Sequence, residues 1–542
     1  MLTDLFAKRE FGNSGIRRQP AHRAARHPVG RRHPIGVAII SVLAAGLSSA
    51  AALLRYYTFR AGTYDLVIFD QAVRSYSQFR LPVAIVKVHD GFGADFSVLG
   101  DHFSPILALL APLYWLYSGP QTLLVAQSVL FAAAIPPLWV LTRRELGLWS
   151  AYCVAIAYAL AWPLAQAADF GFHEVAFAPV LTAVLLERFS ALRHGRGRWW
   201  QVVLAAIGLL AVKEDLGLLI AGFGLAVLVL SFRMPAADRL RARLFGAGFV
   251  VGGLASVVVV TDVLLPAFGG RPGFYWTYGQ FGSSMSGAAL DMLTHPLTTV
   301  ATFFQPDYKV QTMLLLLAMT AFMSLFSPYL LVVLPLLAER MLSGDPLLWG
   351  TAFHYNAFLV IPLFGAGVDA VARIGRWARW WSARRQGRSG AGTAGDRIGV
   401  LIGGVWASAV LVIGVVTVPY FGFGPPLTLS SWQQNTDTRA ASSVIAKVPS
   451  GATVSAANYL GPRLSGRDTV LLWDQVTRWT PWVAADVGRA EFPFCTLAAQ
   501  RKAVSTLETE GYRVVYSDDG YLLLHHPGVL PPLSTAAAPT DC

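Results

Sequence analysis

Apolar runs of roughly 17 to 25 residues recur along the first 420 positions of this 542-residue chain. Each is long enough to cross about 30 Å of hydrocarbon at about 1.5 Å per residue. Composition agrees: 54% of the residues are hydrophobic and only 14% charged, outside the usual range of soluble proteins. The chain therefore reads as an α-helical polytopic membrane protein. The net charge of +12 would suit a nucleic-acid partner only if it formed a soluble basic surface. Its distribution marks membrane orientation instead, and no nucleic acid is expected.

The opening "RRQPAHRAARHPVGRRHP" is basic and precedes "IGVAIISVLAAGLSSAAALL". Under the positive-inside rule this places residues 1–35 in the cytoplasm as a disordered tail, and residues 36–54 form a retained first helix. Further helices are expected near 120–142, 149–167, 175–191, 199–212, 216–232, 244–265, 310–326, 329–342, 355–373 and 397–419, about eleven spans in all. The loops this scheme puts inside, such as "LRHGRGR" and "RIGRWARWWSARRQGR", are Arg-rich, while the outer loops are poor in Lys and Arg. Arg198 and Arg233 flank two apolar runs that would need about 51 Å as one helix, so a hairpin with Lys213, Glu214 and Asp215 at its outer tip fits better.

Three regions follow: the tail 1–35, a transmembrane domain 36–423 with a long external first loop 55–119, and an external α/β domain 424–542. Within the first loop, 103–118 is apolar but Pro-broken and reads as an interfacial helix. In the last region "RVVYSDDGYLLLHH" reads as a hairpin turning at Asp-Asp-Gly. Cys495 and Cys542 both lie there, where an oxidising compartment would permit a disulfide; Cys153 lies within a span and reads as packing.

The outer ends of the helices collect the ionisable groups. Loop one, with "YDLVIFDQ", supplies Asp65, Asp70, Asp101 and His102; "DFGFHE" supplies Asp169, His173 and Glu174; "KED" supplies Lys213, Glu214 and Asp215. Each alone is explained by a solvated helix end, but acids and histidines placed merely as interface markers would scatter over both faces. Their concentration on one face points to a site at the outer surface. On a regular helix Asp65 and Asp70 would stand about 140° apart, so acting together requires an irregular loop, whereas Asp169 and His173, four apart, would share one helical face. The aromatic stretch "RPGFYWTYGQFGSS", with Tyr275 and Tyr278, suits sugar stacking or headgroup-level packing.

"YDLVIFDQ", "HFSP", "DFGFHE", "KED" and the later "HY" of His354 and Tyr355 together resemble, in this order, the domain-of-unknown-function 2079 family of predicted membrane proteins, over about residues 60–375. A more distant resemblance is to the GT-C glycosyltransferases, which use polyprenyl-phosphate sugars and carry an acidic pair in loop one, often with an aromatic residue four positions on. Asp65 and Phe69 match that pattern, while Leu66 stands at the second acidic position. This resemblance implies a GT-C-like fold and transfer of a sugar from a polyprenyl-phosphate donor to a cell-envelope glycan, lipid or protein at the outer face of the cell membrane. Such chemistry needs a carboxylate to take the acceptor proton and a cation to hold the departing phosphate. Asp65 is expected as the base with Asp70 as a second catalytic carboxylate, and Lys213 as the phosphate ligand. Asp101, His102, Asp169, His173, Glu174, Glu214, Asp215, Tyr275, Tyr278, His354 and Tyr355 are expected to support the site or bind the acceptor. A divalent cation, Mg or Mn, would sit on Asp70, His102 or Glu174. The alternatives are a transporter or flippase of lipid-linked sugars, which would place ionisable groups near the bilayer midplane, and a non-catalytic envelope scaffold.

Overall fold

The computed structural model describes residues 32–386 and 391–539. The expected disordered tail lies, up to residue 31, outside the described residues, as does Cys542. Each of the eleven apolar segments contains a helix, but the one expected over 310–326 ends at Ala318, where the chain turns through Ala321 and Phe322 at positive φ into a 3-10 turn at Met323–Phe326. Among the described residues seven helices are long and apolar enough to cross a membrane: Arg32–Tyr57 (α1), Pro120–Leu146, Leu148–Phe170, Glu174–Arg193, Ala236–Ala267, Ala357–Ser382 and Arg397–Tyr420. The other four, Trp199–Leu210, Leu216–Ser231, Asp307–Ala318 and Leu330–Leu342, have 12, 16, 12 and 13 residues. At about 1.5 Å per residue, each is too short to cross alone. The chain is a multi-pass membrane protein.

Small residues let these helices approach closely. A Cβ added at Gly217 would lie 2.5 Å from the Gly253 carbonyl oxygen, and one at Gly222 would lie 2.2 Å from that of Leu331. Leu216–Ser231 is thus pinned between Ala236–Ala267 and Leu330–Leu342, the small-residue packing on which helix association in hydrocarbon relies. The "KED" tip at its start is held by a rigid element.

The first loop is an ordered structure rather than a simple connection. It contains α2, Thr63–Ser77, then short 3-10 turns and an isolated bridge between Val83 and Ser97. Pro105–Leu110 and Ala111–Tyr114 form a short broken helix in which Leu109 is exposed, as are Trp115 and Leu116 just beyond its end.

After residue 424 the chain forms a five-stranded sheet of order β2-β1-β3-β5-β4, comprising β1 Thr453–Ala456, β2 Thr469–Leu472, β3 Trp482–Asp486, β4 Arg513–Asp518 and β5 Tyr521–His525. β2, β1 and β3 are parallel, and β5 runs antiparallel to both β3 and β4. Asp519 and Gly520, both at positive φ, close the β4–β5 hairpin. Cys495 is disulfide-bonded and Cys153 is a buried free thiol.

α2 joins the two parts. Leu66, Phe69 and Val73 pack into the membrane bundle, Val67 enters the core of the sheet domain with Val454, Val470 and Val483, and Ile68 and Ala72 pack with Ala84, Val86 and Leu472. Apolar residues on almost every face keep α2 regular. It is therefore not the irregular loop that would let Asp65 and Asp70 act together.

Candidate functional site

Asp65 lies in the first turn of α2, whose N-cap residue, Gly62, offers no side chain. The cap comes from the sheet domain. The Thr63 amide donates to the Asn458 carbonyl at 2.7 Å and to Asn458 Oδ1 at 2.9 Å, and the Thr63 hydroxyl donates to the same carbonyl at 2.6 Å. The Asn458 amide in turn donates to Glu491 Oε1 at 2.9 Å. A side-chain oxygen that satisfies the free amides of a first turn fixes the direction in which that turn points.

The Asp65 carboxylate, 36% exposed, faces His173, with 3.6 Å between Oδ1 and Nε2. Gly171, at φ +145°, ends the preceding helix at Phe170 and turns the chain so that His173 is extended. Buried Gln127 clamps this turn: its amide nitrogen donates to the carbonyls of Ala167 and Gly171, and its oxygen accepts from the His173 amide at 3.1 Å. The His173 ring stacks on that of His354 with centroids 3.6 Å apart. His354 is set by Arg340, which donates to the Tyr355 carbonyl at 2.7 Å and to Asn356 Oδ1 at 3.0 Å.

Beside His173, the buried Glu174 meets Lys213, with 3.5 Å between Oε1 and Nζ. Several buried polar atoms here have no hydrogen-bond partner: His173 Nδ1, both Glu174 oxygens, Asp215 Oδ1 and both His354 nitrogens. Buried polar atoms are ordinarily satisfied, so six orphans in one place describe a polar site built for something other than its own side chains. Burial by itself would lower the Lys213 pKa, but Glu174, Asp215 and Glu214 outweigh it and hold the ammonium above its usual range. Burial pushes Asp215 up to about 6, with Lys213 opposing and Glu214 adding to the rise. Burial, then the neighbouring His173 and Lys213, keep His354 well below the usual imidazole range, so it is neutral.

A second cluster adjoins the first. His102 Nδ1 lies 2.7 Å from Glu214 Oε1 and its ring stacks on Tyr275 at 4.9 Å. Tyr275 donates to Asp101, which is paired with the fully buried Lys87 at 3.0 Å. Lys87 also pairs with Asp90, and Tyr64 donates to Asp90 at 2.7 Å. Tyr278 instead anchors its loop, donating to the Glu339 carbonyl at 3.0 Å.

Several expected residues stand elsewhere. Asp70 is fully buried on the opposite side of α2, accepting from Arg74 Nη2 at 2.9 Å and from the Tyr114 hydroxyl at 2.8 Å. Five helical steps separate it from Asp65, and its place is that of an anchor for the loop. Asp169 does not share a face with His173 because Gly171 breaks the helix between them; it pairs with Arg55 of α1 at 3.0 Å. The three residues expected to take a divalent cation have different partners, Asp70 with Arg74, His102 with Glu214 and Glu174 with Lys213. Among the described residues no group of three His, Cys, Asp or Glu side chains is arranged to hold a metal ion. Lys87, Asp90, Gln127 and Asn458 were not singled out by the sequence. Lys87 and Asp90 fall within the loop whose importance the acidic motif did signal, whereas nothing local marks Asn458.

The profile of the family described as "Predicted membrane protein (DUF2079)" matches residues 55–523. No curated protein matches the chain. Among solved structures, ArnT from Cupriavidus metallidurans in the apo state is similar at 12% identity and a TM-score of 0.49, over 93% of this chain and 99% of that one. The same protein bound to undecaprenyl phosphate gives 12% and 0.48 over the same shares. The Archaeoglobus fulgidus oligosaccharyltransferase tethered with an acceptor peptide gives 12% and 0.43, over 92% of this chain and 76% of that one.

Removing the α2 anchor and removing its cap should have different effects. Asp70→Asn takes a charge from Arg74 and is expected to cost about 1–3 kcal/mol of stability, read as a lower melting temperature in detergent, without altering the chemistry of the folded fraction. Asn458→Ala keeps the carbonyl that accepts from Thr63 but loses Oδ1, and is expected to cost about 1 kcal/mol and to lower any activity that depends on Asp65. Equal turnover per folded molecule in Asn458→Ala and the parent protein would contradict this role.

Proposed function

The chain belongs to the DUF2079 family of predicted membrane proteins, and from its own site we propose that it is a membrane glycosyltransferase moving a sugar from a polyprenyl-phosphate donor to a cell-envelope acceptor. The observation that carries this reading is the convergence of Asp65, His173, Glu174, Lys213 and His354 at one set of helix ends, with buried polar atoms of His173, Glu174 and His354 left unpaired.

The reaction requires an acceptor hydroxyl oxygen to bond to the anomeric carbon as the bond from that carbon to the phosphate oxygen breaks. Asp65, the most exposed carboxylate of the first cluster, takes the hydroxyl proton. His173 Nε2 faces that carboxylate and orients it. Lys213 is the cation for the departing phosphate: its contact with Glu174, at 3.5 Å, is longer than a normal charged hydrogen bond and yields readily to a phosphate oxygen. Neutral His354 is a donor or acceptor for sugar hydroxyls, and Tyr275 and His102 form the neighbouring aromatic wall.

The test is incubation of membranes containing the protein with radiolabelled polyprenyl-phosphate sugars, followed by separation of lipid, glycan and protein products. Asp65→Asn, nearly isosteric but unable to take the proton, is expected to lower transfer about a hundredfold or more while the protein still folds. Lys213→Gln should weaken donor binding and slow turnover, and Lys213→Arg should recover part of both because it keeps the charge with a changed geometry. Full activity in Asp65→Asn, or donor affinity and rate unchanged in Lys213→Gln, would refute the assignment. Movement of the labelled donor between leaflets without any product would make the protein a transporter.

We also infer that the cluster faces the cell exterior and the N-terminus the cytoplasm, because the Arg-rich loops lie at the opposite helix ends. Val529, 99% exposed beyond the sheet, offers a labelling position. Val529→Cys should react with a membrane-impermeant thiol reagent in intact cells above the parent background. Labelling only after permeabilisation would reverse the orientation.

A further inference from the structure

At the helix ends opposite Asp65 lies a second concentration of charge that the transfer reaction does not use. Arg193 closes Glu174–Arg193, Arg233 follows Leu216–Ser231, and Arg373 and Arg376 lie in the last turns of Ala357–Ser382. Two carboxylates face these four arginines. Asp369 accepts from Arg193 Nη1 at 3.3 Å and from the Ser327 hydroxyl at 2.8 Å, which leaves Arg373 at 3.7 Å. Glu145 accepts from the Ser190 hydroxyl at 2.8 Å and pairs with Arg376 at 3.5 Å and with His194 at 3.8 Å.

Arg373 Nη1 is buried without a hydrogen-bond partner, and among the described residues the Arg233 side chain makes no hydrogen bond or ion pair. Arg233, Arg376 and Arg193 all lie within electrostatic reach of Arg373. Like charges brought together without enough carboxylates repel one another unless an anion joins them.

Arg233 and Arg373 line a cavity of about 710 Å³ whose other walls include Met323, Phe326, Ile374 and Trp377. Phe326 and Trp377 are each 62% exposed. Aromatic side chains at helix ends belong at headgroup depth, and basic pockets between membrane helices suit anionic headgroups. The cavity is thus cationic on one side and apolar on the other, the two chemistries of one amphipathic molecule. We propose that it binds an anionic phospholipid of the leaflet at this face, its phosphate between Arg233 and Arg373 and the start of its acyl chains against Phe326, Ile374 and Trp377. A small soluble anion would satisfy the guanidinium groups but not cover the apolar walls. The assignment is independent of the sugar-transfer reading, since none of these residues belongs to the Asp65 cluster.

The test is native mass spectrometry of the full chain in detergent, titrated with dioleoylphosphatidylglycerol or dioleoylphosphatidylcholine. The anionic lipid is expected to occupy the protein about tenfold more tightly. Arg233→Gln, a change at an exposed and unpaired position, should remove most of that preference; Arg233→Lys should keep part of it, and Trp377→Ala should weaken binding. Millimolar inorganic phosphate should not displace the lipid. Equal binding of the two lipids, or an unchanged preference in Arg233→Gln with the protein monodisperse, would overturn the proposal. Displacement by inorganic phosphate would also overturn it, reassigning the cavity to a soluble anion.

Discussion

The arrangement of the site depends on the hydrogen bonds between Asn458 and the first turn of α2. A helix N-terminus leaves amides that must find acceptors, and Gly62 supplies none from its side chain. The sheet domain supplies them through an asparagine nearly four hundred positions away, itself fixed by Glu491. Where it does so, the tight approach of Gly461 to Thr63, whose hydroxyl would lie 2.2 Å from an added Cβ, keeps larger side chains out. The direction of Asp65 is therefore set by the folding of the last hundred residues as well as by the membrane helices. The sheet domain is part of the site's framework rather than an appendage.

A half-satisfied polar network inside a protein is ordinarily worse than an apolar core, because each unpaired group forfeits the water it gave up. The framework around Asp65 holds such a network in place. Gln127 fastens the turn before His173, Arg340 fastens the turn after His354, and apolar packing on three sides holds α2. Gln127 and Arg340 are bonded through their polar side-chain atoms, while buried atoms of His173, Glu174 and His354 are not. Bonded supports with unpaired presented atoms are the arrangement a binding site for a polar molecule requires.

Much of the architecture was legible in the sequence because hydrocarbon imposes a length and a polarity on every span. The eleven apolar segments, the short pair around "KED" and the β4–β5 hairpin all follow from local pattern. The clustering of acids and histidines at one set of helix ends was equally local, and it pointed to Asp65, His173, Glu174 and Lys213. Which carboxylate serves as an anchor was not legible. Asp70 and Asp169 belong to the same motifs as Asp65 and His173, and only the regular geometry of α2 and the break at Gly171 send them to Arg74 and Arg55. Asn458 and Lys87 act through partners distant in the chain or across a folded loop, contacts that no periodicity encodes.

Lys87 and Lys213 show how environment, rather than residue type, determines how firmly a lysine of this face is held. Lys87 has two carboxylates, Asp90 and Asp101, two tyrosine hydroxyls within 3.4 Å and the rings of Tyr64, Phe92 and Phe274 around its ammonium. Its charge is compensated at close range, and withdrawing it would leave two buried carboxylates unpaired. Lys213 faces more negative charge in total, from Glu174, Glu214 and Asp215, but at looser distances. Glu214 is already engaged by His102, and neither Glu174 oxygen nor Asp215 Oδ1 has a hydrogen bond to lose. Moving the Lys213 ammonium toward an incoming phosphate therefore breaks little, and the acids around it keep it charged. Lys87 holds loop one together, whereas the loosely held Lys213 suits the phosphate role proposed for it.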